Sequence, residues 1–133
     1  MLSANEDMLM TFQVSKLVTK YNMSWDEGRF GDVGSCFTDD GVFVDATGTA
    51  HEGCAAIETF GEKSRELFGA MRHITANHVV AERPSGWSHR CYITFVSGIG
   101  RHDKTVATGY YDDEFVVTSD GPRFTIRRVY LDA

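Results

Sequence analysis

The sequence predicts an α+β fold: a strongly curved, mostly antiparallel sheet with helices over one face. Three observations carry that expectation. Apolar residues recur every three or four positions in the first half, the period drops to two after about residue 70, and short turn signals separate the last four runs. Strands joined by short turns pair as an antiparallel meander, and helices kept to one part of the chain bury their apolar stripes on one face of that meander.

The first helix is expected from about Asn5 to Trp25, where Met10, Val14, Leu17, Tyr21 and Trp25 form a stripe at helical spacing and Gly28 supplies the stop. Phe30, Val33 and Phe37 repeat the spacing as a short second helix, weakened by Gly31 and Gly34, and Asp39-Asp40-Gly41 reads as the turn that follows. Val42 to Ala46 suits a strand, with a connection around Gly48 after it. Ile57, Phe60, Ser64, Leu67 and Phe68 mark a third helix beginning near Gly53. Arg72 to Glu82, Trp87 to Ile99, Thr105 to Val117 and Arg123 to Leu131 are then rich in β-branched and aromatic residues. Pro84-Ser85-Gly86, Gly100 to Lys104 and Ser119-Asp120-Gly121-Pro122 separate them.

The 133 residues fit one domain, 1–133, because two domains of half that size would each be marginal. A hydrophobic fraction of 42% and a charged fraction of 24% are ordinary for a globular chain and exclude a disordered or collagen-like one. No apolar run approaches the roughly 18 residues of a spanning helix, and no basic segment precedes an apolar stretch at the start, so no membrane association and a cytoplasmic location are expected. Cys36, Cys54 and Cys91 are odd in number and far apart, which fits reduced thiols better than disulfides or a CxxC site. With 13 basic against 19 acidic residues and no Lys/Arg cluster, nucleic acid is an unfavourable partner.

Polar residues on otherwise apolar faces are the informative ones, since burying them costs free energy unless they are paired or used. On the strand from Arg72, alternation puts His73, Thr75 and Asn77 on one face, either lining an interior cavity or solvated on the outside. Arg128 shares parity with Phe124, Ile126 and Tyr130. It either pairs with Asp112 or Glu114 on the preceding strand or binds an anionic group of a ligand. Asp26 lies in the last turn of the long helix, where a carboxylate is mildly unfavourable with the macrodipole and so hints at a use elsewhere. Tyr21 lies about 140° around the helix from Asp26, so the two serve one cavity only if the helix end is embraced on two sides. Periodicity alone makes Tyr21 a core aromatic with its hydroxyl at the rim. No phosphate loop, GxSxG or HExxH occurs, His73 and His78 differ in parity and so should not share a metal, and His51, His89 and His102 read as surface residues.

Four segments, LVTKYNMSWDEGRFGDVGSCFTDDGVFVD (Leu17 to Asp45), the HEG-AAI stretch (His51 to Ile57), MRHITANHVV (Met71 to Val80) and GPRFTIRRVYLD (Gly121 to Asp132), resemble the SnoaL-like group of the nuclear transport factor 2-like superfamily over nearly the whole chain. The resemblance implies a cone-shaped, cystatin-like roll of mixed, mostly antiparallel sheet, with three helices in the N-terminal half enclosing a pocket, and commonly a homodimer. The superfamily includes dehydratases, isomerases, polyketide cyclases, dioxygenase β-subunits and proteins that only bind.

Scytalone dehydratase, bile-acid 7α-dehydratase and the dehydrochlorinases carry a pocket Asp–His pair at the positions that KYNMSWDEG and MRHITAN fill here with Asp26 and His73. Tyr21 and Arg128 match a tyrosine and a last-strand arginine of that group, whereas Phe95 stands where the bile-acid enzyme has an aspartate, so substrate identity does not carry over. The resemblance therefore implies a lyase of the dehydratase type, or a related isomerase, working without cofactor or metal on a largely apolar, polycyclic or aromatic small molecule. Asp26, His73, Tyr21 and Arg128 would be catalytic, and Asn77, Trp25, Phe43, Phe60 and Tyr111 would bind substrate. The alternatives are a non-catalytic ligand-binding or dioxygenase β-subunit-like protein, and a polyketide cyclase or ketosteroid-type isomerase.

Overall fold

A computed structural model describes residues 2–133. Helix α1 (Ala4–Asp26) opens on a capping box, with the Ser3 hydroxyl accepting from the Glu6 N–H and the Glu6 carboxylate accepting from the Ser3 N–H. Its stripe of Val14, Leu17, Val18, Tyr21 and Trp25 is buried, as the spacing predicts. Helix α2 (Phe30–Gly34) is shorter than expected, because Phe37 already belongs to strand β1 (Phe37–Val44). Asp39-Asp40-Gly41 is therefore not a turn but an irregularity inside β1, whose pairing with the last strand shifts between Phe37 and Val42. The connection around Gly48 carries a short strand, β2 (Ala50–Glu52), that alternation over three residues is too brief to reveal. Helix α3 (Cys54–Phe68) follows, and a Cβ at Gly61 would collide with the Phe30 ring, so α3 seats closely on α2.

Strands β3 (Ala70–Arg83), β4 (Gly86–Ile99), β5 (Thr105–Thr118) and β6 (Gly121–Leu131) form the expected meander. The sheet order is β2-β1-β6-β5-β4-β3, with β1 parallel to β6 and every other pair antiparallel. It is mixed and mostly antiparallel, and it does not close. Helix α1 packs on β3 and β6, and α3 on β1 and β2, so the core lies between the helices and the concave face. No helix among the described residues is long and apolar enough to cross a membrane.

Two β-bulges decide which side chains face inward. One residue is extra in β3 between Ala76 and Val79, where Asn77 has φ 65°, a left-handed value that Asn tolerates better than most residues. The other lies in β6, where Glu114 pairs with Ile126 but Phe115 with Phe124, leaving Thr125 extra. Each bulge reverses the parity of everything beyond it.

Candidate functional site

Asp26 ends α1 and His73 stands near the start of β3, beside that helix end. The carboxylate is gripped twice by one residue: the His73 ring Nδ1 lies 2.6 Å from Oδ1, and the His73 backbone N–H donates to Oδ2 at 3.0 Å. A carboxylate oxygen only accepts, so Nδ1 carries the proton and Nε2 is the basic nitrogen. Nε2 makes no hydrogen bond among the described residues. Arg65 donates to the Asp26 carbonyl at 3.0 Å, satisfying an orphan carbonyl of the helix end and fixing it against α3.

His73 opens onto a cavity of about 430 Å³, in the range of small-molecule sites. Trp25, Phe43, Phe60, Phe68, Met71, Phe95 and Val129 make its wall apolar, while Tyr21, Tyr111, Ser64, Ser97, Thr105 and Asp45 offer polar groups. The His73 ring stacks on Phe95 at 5.8 Å and meets Trp25 edge-on at 5.6 Å, which fixes its plane. The indole Nε1 of Trp25 is buried with no hydrogen-bond partner among the described residues. At the cavity edge, His51 Nε2 lies 2.8 Å from Asp45 Oδ2, and the His51 ring lies 4.2 Å from that of Phe60.

Behind the cavity lies a polar chain that is half-buried at one end, His78, and fully buried beyond it. His78 Nδ1 faces His89 Nε2 at 2.9 Å, His89 Nδ1 faces Asp113 Oδ2 at 2.8 Å, and Asp113 Oδ1 lies 3.5 Å from Arg127 Nε. His89, Asp113 and Arg127 are fully buried. The Arg127 guanidinium lies 3.5 Å from the Tyr111 ring centre and 4.3 Å from that of Tyr21. Burial pulls its proton affinity down, but Asp113 together with the neighbouring Tyr111, Tyr21 and Cys91 groups outweighs this and leaves it raised, so it stays a cation. Burial pushes the Tyr21 phenol well above its ordinary value and Tyr111 up to about 12, so both stay protonated, and in the hydrogen bond the two share Tyr21 donates and Tyr111 accepts, which leaves the Tyr111 O–H uncommitted.

The SnoaL-like domain model matches residues 8–128. The chain belongs to the SnoaL-like family. Members of the SnoaL-like family include dehydratases, cyclases and isomerases. Similar solved structures include a variant of Rv3472, a protein of unknown function from Mycobacterium tuberculosis, at 18% identity and TM-score 0.87, covering 99% of this chain and 77% of that one. Aln2 from a Streptomyces species is 22% identical with TM-score 0.82, covering 98% and 93%. A candidate scytalone dehydratase from Novosphingobium aromaticivorans is 14% identical with TM-score 0.85, covering 98% and 89%. No curated protein matches the sequence.

Within this SnoaL-like chain, Asp26, His73 and Tyr21 come together, and Trp25, Phe43, Phe60 and Tyr111 line the same cavity. Asp26 itself does not line it and reaches it through the imidazole. Tyr21 is buried in the wall rather than ending at a rim. Two expected residues lie elsewhere, both through the bulges. Arg128 lies outside the cavity, its Nη1 3.6 Å from Glu114 Oε2, which is the ion-pair alternative, while Arg127 takes the interior place. Asn77 is exposed at its bulge, and His78, expected to face away from the side that carries His73, turns inward beyond it. His89 is fully buried and His51 half-buried, so neither is the surface residue that the sequence pattern implies, whereas His102 is exposed. Arg127 had no usable signal, because its parity with Phe124 changes at the Thr125 bulge. His89 and Asp113 instead interrupt regular apolar alternations, His89 with Cys91 and Ile93 and Asp113 between Tyr111 and Phe115, and that alternation was the signal that could have found them.

Proposed function

We propose that this protein is a cofactor-independent lyase, of the dehydratase type or a closely related isomerase, acting on a largely apolar small molecule. The observation that carries the reading is the 2.6 Å contact of His73 with Asp26 at the wall of an apolar cavity, with Nε2 unpartnered. Asp26 fixes the tautomer and stabilises the imidazolium. His73 Nε2 takes a proton from the carbon next to an electron-withdrawing group, and the C–H electron pair forms the new double bond as the leaving group departs. Tyr111 is the phenol placed to donate to a carbonyl or leaving oxygen, and Tyr21, by donating to the Tyr111 oxygen, positions it and strengthens it as a donor. Arg128 has no part in this chemistry. The Arg127 cation behind both phenols favours the negative charge that builds on the oxygen Tyr111 holds.

A panel of hydroxylated steroids, polyketides and aromatic acids, screened by ligand-induced melting shifts and then by absorbance of a new conjugated double bond, tests the proposal. The expected result is turnover of at least one binder, lost in His73→Ala with the fold intact. Binding without turnover by the wild-type chain, or full turnover by His73→Ala, would overturn it. We further propose that two copies pair through the outer sheet face, where Ile74, Tyr92, Val106 and Tyr130 are exposed. Sedimentation of the wild type as a dimer and of Tyr92→Glu as a monomer is the expected outcome, and a monomeric wild type would refute it.

A further inference from the structure

His78, His89 and Cys91 offer two imidazole nitrogens and one sulfur that all lie within 4.8 Å of one another, on the neighbouring strands β3 and β4 and away from the cavity. We propose that these three side chains form a site for a borderline-soft transition-metal ion, Zn²⁺ in the first instance, that clamps β3 to β4.

The hydrogen-bond chain prepares the ligands. Asp113 accepts from His89 Nδ1, which leaves His89 Nε2 a lone pair directed at His78. That carboxylate–imidazole arrangement is the one that orients a zinc-bound histidine and raises its basicity. The two facing nitrogens, 2.9 Å apart, can be bridged by only one hydrogen, carried by His78 Nδ1. They are slightly closer than two nitrogens on a tetrahedral ion with bonds of about 2.0–2.1 Å. An ion therefore takes the place of that bridging proton with a small outward adjustment. His78 faces inward only because of the bulge at Asn77, held at φ 65°, and a less common backbone conformation at a bulge is one way a strand re-aims a functional side chain. His78 is half-buried, so the ion has a path from solvent and a water can complete the fourth position.

The charge is offset to a net +1 at a site that is half-open on the His78 side. Asp113 offsets Arg127, and the thiolate offsets one of the two charges of the ion. On binding, the Cys91 S–H bond breaks and its proton leaves to solvent, the His78 proton moves from Nδ1 to Nε2 through solvent, and two N–metal bonds and one S–metal bond form. Nothing is oxidised or reduced. Nitrogen and thiolate ligands select Zn²⁺ over Mg²⁺ or Ca²⁺, which prefer oxygen.

The test uses the full chain, stripped with a chelator and titrated with Zn²⁺ or Co²⁺ alone. The expected result is one ion per chain, a Tm rise of roughly 5–10 °C at about hundredfold excess over Kd, and a thiolate-to-cobalt charge-transfer absorption. Cys91→Ser should abolish that absorption. His78→Ala, at a half-buried position that tolerates truncation, should weaken binding at least tenfold and decides the matter if Cys91→Ser fails to fold. No bound ion in the wild type, or undiminished binding in a folded His78→Ala, would overturn the proposal. Asp26→Asn should leave stoichiometry and spectrum unchanged, so the metal site and the proposed elimination stand or fall separately.

Discussion

Two imidazoles in this molecule are held by carboxylates at nearly the same distance, 2.6 Å for His73 on Asp26 and 2.8 Å for His89 on Asp113, yet their surroundings are opposite. His73 forms the wall of a cavity and keeps one nitrogen unpartnered, while His89 is enclosed on both nitrogens and backed by a buried guanidinium. The hydrogen bond to a carboxylate is therefore not what separates the two imidazoles. Access of the second nitrogen to a ligand does that, and the same substitution at the two aspartates should fail in two different ways.

The largest effect is expected at the cavity. Asp26→Asn keeps the shape but presents an amide that can hold the ring in the wrong tautomer, so turnover should fall by about 10²–10⁴ with little change in stability. Steady-state rates alongside urea denaturation check both halves. A fall in stability matching the fall in rate would erase the distinction between the two pairs.

Asp113→Asn should do the reverse. It leaves the Arg127 cation uncompensated in a sealed interior, a loss of about 3–5 kcal/mol in unfolding free energy. Denaturant titration reads this directly, and a change under about 1 kcal/mol would show that the guanidinium is held by the Tyr111 and Tyr21 rings rather than by the carboxylate.

The contrast also explains what the sequence disclosed. The helix stripe through Tyr21 and Trp25 and the meander could be anticipated, because periods of 3.6 and two carry phase information locally, whereas the Asp26–His73 pairing was implied by the resemblance of KYNMSWDEG and MRHITAN to the dehydratases and by no period. Beyond residues 77 and 125 the phase is reset by single inserted residues, and period-two reasoning then assigns Arg128, His78 and Asn77 to the wrong faces. Asn77 offered a faint signal, being a residue that tolerates positive φ. Thr125 offered none: its hydroxyl donates to the Glu114 carbonyl at 3.1 Å, a contact between strands that sequence spacing does not encode. The bulge itself can be probed with Asn77→Val, which should cost roughly 1–2 kcal/mol because a β-branched side chain clashes in the left-handed region. Asn77→Gly should be close to neutral, and equal stability of the two variants would mean that the bulge relaxes.

The smallest effect concerns the third His–carboxylate pair, at the cavity edge. Burial pushes the Asp45 carboxyl up, but hydrogen bonds from the Thr47 hydroxyl, His51 and the Thr49 and Thr47 N–H groups outweigh it and leave the pKa below its ordinary 3.8. A carboxyl with a depressed folded-state pKa adds stability that is present above its unfolded value and is lost as pH falls through the folded one. The stability advantage of the wild type over Asp45→Asn should thus be constant above about pH 5 and shrink progressively below about pH 4. Urea midpoints measured from pH 7 down to pH 3 check the sign, and an advantage that grows on acidification would mean that Asp45 is held protonated, as the acid partner of His51 rather than as the anchor of its own turn.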